Sequence, residues 1–219
     1  MATLNEIAYN IRNIAEGGVA SDDSNITLRQ IKYMVHYHRA NLLLQYTDNG
    51  RKTSDVMYQV DKMVPSKNGV DLKAFVGFND NRSIRSIALR STSDKSEDFE
   101  LLPLFKEHDK MFAQNSRFIK HATKKYATIQ SGKLYVYEGS DIFNSSSYEL
   151  EVTAIYSNPT EINSYIDDDV SQYPLPQELI SILTETILAK EFRMILGIPS
   201  DTPNDQRDEK TERKKAGAE

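Results

Sequence analysis

The sequence predicts an α+β protein. Helices from both ends of the chain form one bundle, a mainly antiparallel β-rich region lies between them, and a charged C-terminal tail is disordered or ordered by a partner. Three observations carry this expectation. Apolar residues recur at helical spacing near both ends of the 219-residue chain, strand-like alternation fills the middle, and residues 200–219 hold no large apolar side chain. The expected divisions are 1–50 for the N-terminal helices, 51–174 for the β-rich region, 175–198 for a returning helix and 199–219 for the extension.

Thr3 and Glu6 have capping-box spacing, and Leu4, Ile7, Ala8, Ile11, Ile14 and Ala15 follow on one helical stripe until Gly17-Gly18. A second start signal comes after the polar loop SDDSN. Thr27 is placed as N-cap with Gln30 three residues on, and Ile26 and Ile31 are spaced for a hydrophobic staple. This helix is expected over Leu28 to Tyr46, with Asn49-Gly50 turning the chain out of it.

From Arg51 to Pro174 the period shortens. VMYQV, VDLKAFVGF, SIRSIAL, YATI, KLYVYE and YELEVTAIY read as strands bounded by Gly, Asn, Asp and Ser. Tyr148, Leu150, Val152, Ala154 and Tyr156 alternate with Glu149, Glu151, Thr153 and Ile155, which predicts a half-buried strand. A short helix is expected near 104–114, in PLFKEHDKMFAQ. The closing helix is PQELISILTETILAKEFRMIL, with Pro176 in its first turn, a wide apolar face from Leu179 to Leu196, and Gly197-Ile198-Pro199 as its stop.

Composition excludes several function classes. With no cysteine the chain has no disulfide framework and no thiolate zinc site, and no segment reaches the roughly 18 apolar residues of a membrane span. The N-terminus has acidic residues and amphipathic spacing, so no secretory signal is expected. A net charge of −5 weighs against a dedicated duplex-DNA binder. Neither a phosphate-cradling GxxxxGK[ST] run, a GxGxxG turn nor a GxSxG elbow is present.

The remaining chemical candidates are weak. His36 and His38, in KYMVHYHR, lie about 200° apart on a helix and cannot chelate one ion; one is expected buried and bonded, the other exposed. Asp167-Asp168-Asp169 lacks EF-hand spacing and reads as a solvated turn. Asp71 and Lys73 in VDLK are the only hint of a metal-dependent nuclease. Arg117, Lys120, Lys124 and Lys125, interleaved with Phe118 and Tyr126 in SRFIKHATKKYA, could track a nucleic-acid backbone; this makes a nucleic-acid-binding protein using 117–126 the alternative reading. The expectation is a protein without catalysis, cofactor or metal.

The opening TLNEIAYNIRNIAEGGVASDDSNITLRQIKYMVHYHRANLL, the run SRFIKHATKKYATIQSGKLYVYEG and the turn YELEVTAIYSNPTEI resemble, in that order, a virion structural protein of crAss-like and other short-tailed phages. The order of elements is also similar to that of tail tubular protein A, the head-to-tail adaptor. KMVPSKNGVDLKAF departs from the family's usual cysteine- or glycine-containing strand, which leaves the portal-facing loops unassigned. The resemblance implies a ring, dodecameric in the family, that joins portal to tail around the DNA channel. Its implied partners are copies of itself, the portal protein, adjacent tail ring proteins and passing genomic DNA read without sequence specificity, with no membrane. It also implies a place in the virion at the portal and tail junction, after assembly in the bacterial host cytoplasm. Arg117, Lys120, Lys124 and Lys125 would face DNA or an interface, while Arg207, Arg213, Lys214 and Lys215 in the extension would meet the portal or a neighbouring copy.

Overall fold

Both N-terminal helices begin where capping chemistry places them. In the computed structural model, which describes residues 2–18, 26–51, 53–77, 83–92, 99–105, 125–139, 141–162 and 165–192, α1 spans Leu4–Ala15 and α2 spans Leu28–Asp48. The Glu6 amide donates to Thr3 Oγ1 (3.2 Å) while the Thr3 amide donates to Glu6 Oε2 (2.9 Å), so two helix-end donors are satisfied reciprocally. Thr27 and Gln30 do the same for α2, at 3.3 and 2.8 Å. α2 runs two residues beyond the expected Tyr46, and Gly50, at φ +65°, turns the chain so that the Arg51 amide reaches the Tyr46 carbonyl.

The middle forms two sheets. β1 (Gln59–Met63), β3 (Ile84–Ser91), β4 (Phe99–Leu101) and β9 (Tyr148–Ala154) make an antiparallel sheet in the order β1-β9-β3-β4. β2 (Val70–Asp71), β5 (Leu104–Phe105), β6 (Lys125–Gln130) and β7 (Lys133–Glu138) make the second, in the order β2-β7-β6-β5, with β8 (Asp141–Ile142) also on β7. β6 and β7 are joined by Ser131-Gly132, both at positive φ (50° and 80°), the backbone a tight two-residue hairpin needs.

Two expectations change here. Leu104 and Phe105, assigned to a helix, form a strand parallel to β6, with Leu104 opposite Ala127; the rest of 106–114 lies outside the described residues. Val56 and Met57, expected in a strand, belong to a 3-10 turn, Asp55–Met57, that buries Met57 under the helices.

α3 covers Gln177–Ile187 and continues as a π-helical turn, Leu188–Phe192. Pro176 stands at the N-cap instead of inside the first turn. The regular α-helical part of α3 gives way to the π turn at Leu188, and the rest of the expected helix and its stop, residues 193–199, lie outside the described residues. The reason is spacing: Ile187 and Phe192 are both buried but five residues apart, about 140° out of phase in a regular α-helix. The wider π turn brings both onto the core.

The buried residues fall into two clusters. One packs α1, α2 and α3 around Leu4, Ile11, Ile31, Val35, Leu43, Leu183 and Ile187; the other fills the space between the sheets with Ile87, Leu89, Leu134, Val136, Leu150 and Val152. At the end of β9 the chain serves both, because Ile155 enters the helical cluster and Tyr156 the sheet cluster.

Candidate assembly face

α2 has three different sides. Its inner side buries Ile31, Val35, His38, Arg39 and Leu43. A polar flank, Lys32, His36 and Arg39, spaced at four and three residues, meets the segment between Tyr165 and Pro174. On the outer side stand Tyr33 (71% exposed) and Tyr37 (55%), followed by Ala40, which is half-buried against the helical cluster, and Leu44, which lies near Gly77. These four step by four, three and four residues, the spacing of a packing seam.

The polar flank ties the helices to the β region. Lys32 Nζ lies 2.7 Å from Asp168 Oδ2, and the Tyr165 hydroxyl donates to the other oxygen at 2.9 Å. Burial opposes ionisation of Asp168, but these bonds and the Lys32 charge prevail and hold its carboxyl below the usual range. His36 Nδ1 and the Tyr173 hydroxyl share a 3.0 Å hydrogen bond. Desolvation, reinforced by the Arg39 charge, depresses the His36 imidazole to about 4, so it is neutral at pH 7. Burial and the neighbouring Asp168 push the Tyr173 phenol up, against the pull of Arg39.

Arg39 is fully buried without a carboxylate partner. Its Nη1 donates to the Tyr156 carbonyl (2.7 Å), its Nε and Nη2 both donate to the Pro174 carbonyl, and its guanidinium sits 5.5 Å from the Tyr173 ring centre. Desolvation lowers its pKa from the ordinary arginine value. Two carbonyl dipoles and a ring face stand in for an anion.

The other candidates can now be placed. His38 is the buried imidazole, 5% exposed, with Nε2 donating to Glu191 Oε1 at 2.8 Å in the π turn of α3. His36 is half-buried and bonded, a departure from the exposed partner expected. The Asp triplet lies at a turn with Asp167 and Asp169 exposed, and it also anchors the helices: Asp168 holds α2, and Asp169 accepts a bond from the Asn5 side chain of α1. No group of three or more His, Cys, Asp or Glu among the described residues could hold a metal ion.

Asp71 and Lys73 do not converge. The Asp71 side chain is 86% exposed and pairs with Lys133 (3.4 Å), whereas Lys73 bonds to buried Asp61 (3.4 Å) and to the Glu161 carbonyl. Of the basic aromatic segment, Lys125 pairs with Glu100 at 3.0 Å and lies over the Phe143 and Tyr148 rings, while Tyr126 is buried and stacked on Tyr137. Arg117, Lys120 and Lys124 lie outside the described residues, as do Arg207, Arg213, Lys214 and Lys215.

α3 also carries an outer side. Glu178, Ser181, Ile182 (44% exposed) and Glu185 face away from the buried Leu179, Ile180, Leu183 and Ile187. Sequence reasoning named a wide apolar face on the closing helix, but not the polar flank of α2. Its signal was the four-and-three spacing of Lys32, His36 and Arg39, visible only once a partner segment is known. No helix among the described residues is long and apolar enough to cross a membrane. Residues 6–210 match the family model described as phage tail ring protein 2. No curated protein matches the sequence.

Proposed function

Because the chain belongs to the crAss-like phage tail ring protein 2 family, we propose that its ring connects the portal to the tail around the DNA channel. Membership makes the protein a structural component of the tail and of the virion, associating with copies of itself. The portal contact, the twelvefold number and the DNA lumen are the finer part of this reading, as is assembly in the host cytoplasm. The expected neighbours are the portal protein and the adjacent tail rings.

The observation that supports it is the second apolar side of α2. A helix that serves only its own core is polar on the opposite pole, whereas here Tyr33 and Tyr37 stand there in solvent. A subunit with such a pole is built to be covered by another chain. The rigid tie between helices and sheets suits a part that bears load, and the net charge of −5 suits a lumen along which DNA slides without sticking. The role is mechanical, without a catalytic step. The basic residues of the extension, Arg207, Arg213, Lys214 and Lys215, are proposed to order against the portal or a neighbouring copy.

Native mass measurement and negative-stain imaging, with and without portal, test the proposal. Rings of about twelve subunits seated on the portal are the expected result; a protein that stays monomeric with portal present would end it. The nucleic-acid reading rests on Lys120, Lys124 and Lys125. It requires salt-sensitive DNA retention that is lost when all three become alanine.

A further inference from the structure

The outer sides of α2 and α3 match one another. On α2, Arg29, Tyr33 and Tyr37 step by four; on α3, Glu178, Ile182 and Thr186 repeat those steps. Exposed charge is complementary as well. α2 opens with Arg29, and α3 opens with Glu178 and carries Glu185; among the described residues none of the three makes an ion pair. Laid parallel with Tyr33 beside Ile182, the helices bring Arg29 beside Glu178, with Tyr37 over Glu185 and Thr186.

Inside one subunit these sides cannot meet. α2 and α3 already pack through their inner sides, around Val35, Leu43, Leu183 and Ile187, so the outer sides point away from a shared core. We propose that they are the two halves of one contact, α2 of one copy lying along α3 of the next, with Arg29 against Glu178 and Tyr33 against Ile182. Two different surfaces make the contact heterologous, and a heterologous contact that closes by rotation generates a ring instead of a two-fold dimer. The Tyr hydroxyls find carboxylates at the rim while Ile182 seats between two rings, an aromatic centre with a charged edge. This inference rests on the ring reading and names its interface.

The absence of cysteine from the chain makes the test clean, since engineered thiols are then the only ones present. Tyr33→Cys and Ile182→Cys proteins, full length, are mixed under mild oxidation and resolved on a non-reducing gel. The mixture is expected to give a disulfide dimer that neither variant gives alone, and the double variant a ladder of higher oligomers. Dimerisation of a single variant with itself overturns the heterologous contact. Rings seen by native mass measurement without a disulfide dimer overturn the seam and leave the ring reading standing; monomers without a disulfide when portal is also present overturn both. The register has its own check. Arg29→Glu is expected to weaken association on the order of tenfold, with Glu178→Arg in the same chain restoring it. Failure to restore, in proteins whose circular dichroism matches the parent, overturns the register.

Discussion

Arg39 and Pro174, 135 residues apart, are joined by two hydrogen bonds, from Nε at 3.1 Å and from Nη2 at 3.0 Å, to one carbonyl oxygen. With the third bond to Tyr156 this places one side chain of α2 at the junction of the bundle, the end of β9 and the approach to α3. Replacing it by methionine removes these three donors from the two carbonyls and leaves a gap against the Tyr173 ring. Arg39→Met is expected to lower stability by about 3 kcal/mol, read from the denaturant midpoint. A change under about 0.5 kcal/mol would show that the guanidinium is not the clamp.

His36 gives the fold a pH dependence of known sign. Its imidazole titrates at about 4 when folded, against the ordinary 6.5 when unfolded. Between those values the unfolded chain binds more protons, so the contribution is complete above about pH 6.5 and lost as pH falls towards 4. The loss is on the order of 3 kcal/mol at most. His36→Phe, which keeps a ring but cannot take a proton, should flatten stability measured across this window; an unchanged slope would place the titration elsewhere.

Asp168 acts lower on the scale. Its folded carboxyl titrates below its usual value, so the stability it lends is present above the unfolded pKa and declines as pH drops through the folded one. Removing the ammonium in Lys32→Ala should move the Asp168 carboxyl upwards in an NMR titration. An unmoved carboxyl would mean that the Tyr165 hydroxyl alone sets it.

Gly69 is fixed by its neighbour. It sits at φ +73°, and a Cβ built there would come within 2.7 Å of the Tyr135 ring. Gly69→Ala is therefore expected to cost about 1–3 kcal/mol in thermal or chemical denaturation. The double variant Gly69→Ala/Tyr135→Ala should recover the steric part only.

Asp71 offers a contrast. Exposed and paired only with an exposed lysine, it should tolerate alanine within about 0.5 kcal/mol. Magnesium-dependent DNA cleavage that disappears in Asp71→Ala would contradict the structural role.

Local chemistry was the legible part. Thr3 with Glu6 and Thr27 with Gln30 mark helix starts through contacts three residues long, and Tyr148 to Ala154 marks its strand by strict alternation. The separation of His36 from His38 followed from helical phase. What stayed hidden depends on partners far along the chain. Arg39 reads as a surface residue because arginines mostly are, until Tyr156 and Pro174 arrive to accept from it. Leu104-Phe105 is two residues of strand with a parallel partner, too short to show a period. The π turn left only the five-residue interval from Ile187 to Phe192, which an α-helical template absorbs as breadth of face.

Ile155 and Tyr156 are neighbours in the chain and members of different cores. Phe75 and Val76, bridged to them, divide in the same way, so two adjacent peptide units join the hydrophobic masses, and Arg39 bonds to the Tyr156 carbonyl from the helical side. Neither mass can come apart while the other holds, so heat or denaturant should melt bundle and sheets in one transition, with coincident midpoints by helix-sensitive and tyrosine-sensitive signals. In a subunit of a phage tail ring, such a joint converts local strain into a load carried by the whole subunit.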